Sequence, residues 1–329
     1  MTELYDVAAI GNAIVDVIAP CSDAFLTDEG LARGGMTLID DAQADQLYGR
    51  MAAGIEASGG SAANTVAGVA SLGGRAAYIG KVADDGLGKV FTHDINASGV
   101  SFDVPPLVGG AATARCLINV TPDGQRTMST FLGASTRLTP DDVDPKVIES
   151  AKIIYLEGYL FDPTDAREAF AKAAGLARAA GRLIALTLSD AFVVHRYRET
   201  LLGFIDSEVD ILLANDAELT ALFQTDDFDT AARLLRGRAR LAAITRGAEG
   251  SVILAGDDLH AVPAVPVQKV VDTTGAGDQY AAGFLYGLAQ GHALDVCGRL
   301  GSLAAAEVIS HYGPRPQVSL QDLAIGAGL

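Results

Sequence analysis

Toward its end the chain carries Asp272-Thr-Thr-Gly275-Ala-Gly277-Asp278, running into Gln-Tyr-Ala-Ala-Gly-Phe-Leu-Tyr-Gly-Leu-Ala-Gln290. A glycine-rich turn entering a long apolar helix leaves the backbone N–H groups of Gly275, Ala276 and Gly277 open to a ligand. The helix dipole adds partial positive charge at the same point. Such a turn suits an anion, phosphate in particular. Asp278 falls in the first turn beside it. A carboxylate next to phosphate is electrostatically awkward unless it removes the proton from a hydroxyl that attacks a phosphoryl group. The amides would then stabilise the developing charge. Asp278 could equally be a helix N-cap, a position that aspartate favours.

A second constellation is Gly59-Gly60-Ser61-Ala62-Ala63-Asn64, also at a helix entrance. Paired glycines allow a ligand close approach, and Asn64 has both a donor and an acceptor, as a sugar diol requires. Gly11-Asn12-Ala-Ile-Val-Asp16 adds Asn12 and a carboxylate able to accept from two hydroxyls. A capped helix after a tight turn would use the same residue types. Rival patterns fail. Gly80-Lys81-Val82 lacks the upstream glycine and the hydroxyl of a P-loop. Gly275-Ala-Gly277-Asp-Gln-Tyr280 is a broken dinucleotide fingerprint, late in the chain. The five histidines make no HExxH, and there is no GxSxG.

These residues need a frame. Apolar runs at 5–10, 76–79, 153–156, 183–188, 209–214, 241–245 and 252–254 are short, rich in Ile, Val and Leu, and lack polar alternation. They predict strands buried on both faces, as in a parallel sheet. Helix-period segments lie at 64–72, 164–180, 216–223, 229–236, 278–290 and 294–310. The alternation predicts a layered α/β fold. The stretches 113–120 and 126–131 flank Thr121-Pro-Asp-Gly-Gln125, a hairpin signature. With strand-like 13–19 and 36–40 they predict a small β-element, drawn from about 12–40 and about 105–135, acting as a lid; an ordinary antiparallel edge is the plainer alternative. The whole of 1–329 reads as a single domain.

Composition narrows the classes. The 329 residues are 49% hydrophobic and 20% charged, a globular balance. A net charge of −17 gives no overall field for nucleic acid or an anionic membrane. Three widely spaced cysteines with no CxxC argue against a disulfide framework and for a reducing compartment. No apolar run is long enough to span a membrane. The first residues lack the pattern of a secretory leader, so a cytoplasmic protein is expected.

Taken together, the motifs resemble those of the ribokinase (PfkB) family of sugar and nucleoside kinases, over nearly the whole chain. The resemblance rests on Gly59–Asn64, Leu72-Gly73-Gly74, the stretch from Gly80 to Gly88, Asn215-Asp-Ala-Glu218, Thr245-Arg246-Gly247 and Asp272–Asp278. One departure is Ala83, where many members have glycine. The resemblance implies a ribokinase-like three-layer α/β/α sandwich with a mostly parallel sheet and a β-lid. It implies ATP and Mg²⁺, with Asp278 as base and the 275–277 amides as anion hole. Asn215, Thr245, Arg246 and Gly247 would hold ATP, and Glu218 and Asn215 would organise Mg²⁺ through water. Asp272 and Thr274 match positions that hold a monovalent cation such as K⁺ in many relatives.

Within the family the chain is most similar to adenosine kinases. Asn12, Asp16, Gly59, Gly60, Ser61 and Asn64 would then face the ribose, and Ile14, Leu38, Met128, Tyr159 and Phe192 the purine. Arg126 matches an arginine that reaches toward the phosphates; a solvated strand-edge charge is its plain alternative. Tyr159 and Phe192 could each be core aromatics, and Lys81 and Lys89 read as surface charges. Inosine or guanosine would also fit. A sugar kinase of the same family, for fructose, ribose or 2-keto-3-deoxygluconate, is the first alternative. A non-catalytic binding protein on the same fold is the second. The chain would be a monomer or a homodimer.

Overall fold

The computed structural model describes residues 4–161 and 164–329. The first three residues, on which the reading of the N-terminus partly rests, lie outside them. In chain order the strands are β1 (Tyr5–Ile10), β2 (Ile14–Pro20), β3 (Met36–Leu38), β4 (Ile55–Gly59), β5 (Ala76–Ile79), β6 (Val100–Ser101), β7 (Ala114–Val120), β8 (Arg126–Phe131), β9 (Ala151–Glu157), β10 (Leu183–Thr187), β11 (Ile211–Asn215), β12 (Leu241–Thr245), β13 (Ser251–Ala255) and β14 (Asp258–Val262).

Nine of them form one sheet in the order β14-β13-β12-β11-β10-β9-β1-β5-β6. It is parallel from β6 to β12, with β13 and β14 added antiparallel at one edge. Alternate residues face opposite layers. Ala8, Ile10, Ile154, Leu156 and Leu186 pack with helices Thr164–Ala179, Ala191–Glu208 and Asp216–Phe223. Val7, Ala9, Ile153, Tyr155 and Leu213 pack with Ser61–Ser71 and Ala276–Ala289. Burial on both sides explains why these strands lack polar alternation. The chain places β5 and β6 on one side of β1 and β9 to β12 on the other, so the order reverses between β1 and β9. Sheets of this kind bind ligands at such a reversal, beyond the carboxyl ends of the strands.

The second sheet has the order β3-β8-β7-β2-β4. The expected hairpin is present, with Thr121 N donating to Gln125 O at 2.9 Å across its turn. The expected lid segments supply four of the five strands. The fifth, β4, comes from 55–59, outside both segments. Its sequence Ile-Glu-Ala-Ser-Gly has little strand preference, and pairing with β2 makes it a strand.

Two further expectations change. Helix Ala191–Glu208 was not visible in the sequence: a break at Tyr197 (φ −120°, ψ 19°) interrupts its period. Lys81 is buried, not on the surface; its Nζ donates to Pro105 O at 2.9 Å and to Asp142 Oδ1 at 2.6 Å. Lys89 is exposed as expected. Among the described residues no helix is long and apolar enough to cross a membrane.

Candidate active site

Asn12 follows β1 and Glu157 ends β9, the two strands at the reversal. Asn12 donates from N (3.3 Å) and Nδ2 (2.8 Å) to Glu157 Oε1, while Ala62 N donates to Oε2 at 2.9 Å. Burial pushes the Glu157 carboxyl up to about 7, against those hydrogen bonds. Glu157 was missed in the sequence, where a single glutamate after an apolar run carries no signal. Only the β1–β9 register, with Ile10 opposite Leu156, brings it under Asn12.

Asp16 lies on β2 and is 7% exposed. No described residue donates a hydrogen bond to its carboxylate. Burial raises it to about 7; Arg315 and Arg126 oppose the rise and Asp278 adds to it. A Cβ at Gly59 would collide with this carboxylate, and one at Gly60 (φ +96°) with the Asn12 carbonyl. The paired glycines are therefore demanded first by the protein's own packing, although Gly60 also lines a cavity.

Asp278 is the third residue of helix Ala276–Ala289, whose N-cap is Gly275 in the left-handed conformation (φ +74°) against Pro314. Asp278 is thus not an N-cap. Its Oδ1 accepts from Ser61 Oγ at 2.6 Å and its Oδ2 from Asn64 Nδ2 at 3.2 Å. Burial raises its pKa, against these bonds and the charge of Arg315.

Arg315 was also missed. Its Nε donates to Asn64 Oδ1 at 2.9 Å and its Nη2 to Ser58 Oγ at 3.0 Å. The turn carrying it is pinned by Gly313 N to Asp272 Oδ2 (3.0 Å) and by Gln279 Nε2 to Pro314 O (3.0 Å). No local motif marks such a residue.

Three cavities lie around Gly277 and Asp278. The first, about 300 Å³, has Asn12, Asp16, Gly60, Ser61, Asn64 and Asp278 at its polar end. Ile14, Leu38, Met128, Tyr159 and Phe192 form its apolar walls, joined by Met36, Cys116 and Ile118. The rings of Tyr159 and Phe192 are 6.1 Å apart and tilted by 37°. Tyr159 also packs on the core, whereas Phe192 is 43% exposed. The second, about 570 Å³, is an apolar slot between Thr245, Gly247, Val265, Val267, Ala306 and Ile309 that reaches Ala276 and Gly277. The third, about 80 Å³, shares wall residues with both and is lined by Ser61, Ser189, Asn215, Glu218, Gly277 and Asp278.

Asn215 and Glu218 form a capping box. Asn215 Nδ2 donates to Glu218 Oε1, Asn215 N to Oε2, and Glu218 N to Asn215 Oδ1. Burial pushes Glu218 up to about 7. Its oxygens keep lone pairs for water, and a carboxylate reached through water suits Mg²⁺, which retains much of its hydration. Among the described residues no cluster of His, Cys, Asp and Glu could grip a metal directly.

Two expected arginines sit differently, and one of them changes the surroundings of Asp272 and Thr274. Arg246 does not line the slot: its guanidinium lies 4.3 Å over the Phe228 ring and pairs with Glu249 at 2.8 Å. Arg126 does not point at the anion hole but pairs through Nε with Asp272 Oδ1 at 2.6 Å. The Asp272 carboxylate also accepts from Thr274 N, Thr274 Oγ1 and Gly313 N. A guanidinium thus stands at the carboxylate expected to hold K⁺, where it would compete with a monovalent cation.

Residues 36–320 match the pfkB family carbohydrate kinase model. The structure of an adenosine kinase from Sinorhizobium meliloti is 54% identical, covering 98% of this chain and 99% of that one, with a TM-score of 0.93. A probable sugar kinase from Rhizobium etli is 50% identical over 100% of this chain and 99% of that one, with a TM-score of 0.94. The adenosine kinase of Saccharomyces cerevisiae is 28% identical, covering 93% of this chain and 95% of the yeast protein. A match this long, to relatives that share both sheets, settles the class of chemistry: the chain belongs to the PfkB family and is a phosphotransferase acting on a hydroxyl group.

Proposed function

We propose that the acceptor is a purine nucleoside, adenosine first, phosphorylated on its 5′-hydroxyl by ATP. The observation that carries this reading is the two-ended cavity of about 300 Å³. One end is apolar and aromatic, as a purine requires, and a free sugar would leave it unfilled. The other end offers Asp16, a buried carboxylate without a donor, to a ribose diol.

In this reading the 5′-hydroxyl lies at Asp278, which takes its proton as the oxygen attacks phosphorus. Asp278 is held in place by Ser61 and Asn64. ATP lies in the apolar slot, with its phosphates toward the amides of Gly275, Ala276 and Gly277, where donors aimed at the transferring group stabilise its charge. Mg²⁺, held through water by Glu218 and Asn215, would neutralise charge on the phosphates. The small sheet would cover the acceptor and exclude water, so that ATP is not hydrolysed unproductively.

We also infer a monomer. The chain's own helix Asp41–Tyr48 packs on β7 and β8, buries Ala44 and Leu47, and is held by Arg115, which donates to Asp41 and Asp45. A second copy has no bare sheet face there. Light scattering behind size exclusion tests this. The free Cys21, Cys116 and Cys297 suit a reducing, cytoplasmic setting.

The deciding experiment is ADP release with Mg-ATP against adenosine, inosine, guanosine, ribose, fructose and 2-keto-3-deoxygluconate. Turnover led by adenosine supports the reading. Turnover confined to a sugar discards the purine slot and keeps Asp278.

A further inference from the structure

Ser189 combines two unfavourable features that the reading above leaves without purpose. Its φ is +68°, and among the described non-glycine residues only Gln224 shares a positive φ. Gln224 ends a helix, where that conformation is common. Ser189 instead follows β10, and its side chain opposes the left-handed backbone. Its Oγ is also buried with no hydrogen-bond partner, a condition that folded chains avoid.

The surroundings hold it in this state. Leu188 N donates to Leu213 O at 3.0 Å, and Asp190 N donates to Leu188 O at 2.8 Å. Asp190 Oδ1 accepts from Phe192 N at 2.9 Å, starting the next helix. Ser189 N is near Thr187 Oγ1 at 3.3 Å. Both neighbours are tied down, so the backbone cannot relax. Glycine would adopt this φ without strain, and serine differs from it only by its hydroxymethyl group. Strain of this kind gathers where function needs it.

The place of the residue points to its function. Ser189 lines both the small cavity shared with Glu218, Gly277 and Asp278 and the acceptor cavity. We propose that Ser189 is a further catalytic residue, its Oγ–H donating a hydrogen bond to an oxygen of the phosphoryl group as it passes from ATP to the acceptor. Serine forms no covalent bond and keeps its proton. The bond from the γ-phosphorus to the ADP oxygen breaks, a bond to the acceptor oxygen forms, and the acceptor proton goes to Asp278. A donor that is unpartnered at rest and satisfied in transit favours the transition state over the ground state. The proposal rests on Asp278 being the base.

The test compares Ser189→Gly, Ser189→Ala and Asp278→Asn with the wild type, on whichever panel acceptor the wild type phosphorylates fastest. Ser189→Gly is expected to raise Tm, because strain and an orphaned hydroxyl both vanish. Its kcat should nevertheless fall by roughly 10- to 100-fold, with both KM values within about threefold, as for a lost transition-state donor. Ser189→Ala should lose kcat similarly with a smaller gain in Tm, because it removes the hydroxyl and keeps the backbone strain. A merely structural serine cannot give a more stable and slower enzyme. Wild-type kcat in Ser189→Gly, or a loss seen only in the acceptor KM, overturns the proposal. If Asp278→Asn is inactive in that case, the base assignment survives. If Asp278→Asn turns over normally, the base reading itself has failed.

Discussion

Arg126 Nε lies 2.6 Å from Asp272 Oδ1, so a strand of the small sheet is ion-paired to the loop that opens helix Ala276–Ala289. Asp272 is 5% exposed, and a guanidinium with three further donors satisfies it. The pair links the two sheets at the point where ATP and acceptor would meet.

From that pair, replacing K⁺ by choline should change kcat/KM less than about twofold, since Arg126 already supplies the charge beside Asp272. Arg126→Met should lower Tm, because it leaves a buried carboxylate short of its cation. Initial rates in the two salts and a thermal melt check both outcomes. Strong K⁺ activation of the native chain would place a cation where the structure has the guanidinium.

Asp278→Asn keeps the shape of the side chain and removes its basicity. Turnover should fall by about 10²- to 10⁴-fold, the usual contribution of a general base. ATP affinity, measured by calorimetry, should stay within about twofold, because Gly277 lines the slot and Asp278 does not.

Asp16→Ala should raise the acceptor KM by about tenfold or more, the loss of a charge-assisted hydrogen bond, and leave the ATP KM alone. Equal changes in both would deny Asp16 a place in the acceptor site.

Arg315 and Asn64 should act as one unit, because Arg315 Nε bonds Asn64 Oδ1 and leaves Nδ2 facing Asp278. Arg315→Met is expected to raise the acceptor KM about tenfold in the native chain and less than twofold in an Asn64→Ala background. Additive effects in this double-mutant cycle would separate the two residues.

Stability and activity should respond to pH in opposite directions. Burial raises Asp16, Glu157 and Glu218 to about 7, and Asp278 above its ordinary value. Between the ordinary carboxylate range near 4 and about 7, the folded chain keeps protons that the unfolded chain releases. That stabilisation is lost as pH rises, so the ligand-free Tm should fall from about pH 5 to about pH 8. Over the same range kcat/KM should rise as the base ionises. Scanning calorimetry and initial rates across pH test both.

The elements were largely legible because each has a local cause. Ile, Val and Leu runs buried on both faces marked the central strands, and glycine before an apolar run marked the entrance to helix Ala276–Ala289. Asp278, Asn64, Asn12 and Asp16 were also visible, since hydrogen-bonding types stood next to such entrances and turns. Local pattern could not show what lies across from them. Glu157 reaches Asn12 only through the pairing of β1 with β9, and β4 is a strand only because β2 offers it an edge. Arg315 meets Asn64 from 251 residues away, and Arg126 turns to Asp272 because that carboxylate is buried within its reach. Residue type and near neighbours determine which groups can do chemistry here. Which of them share a proton, a charge or an orphaned hydroxyl was decided by tertiary packing, since electrostatic and hydrogen-bond energies depend on distance and burial, not on separation along the chain.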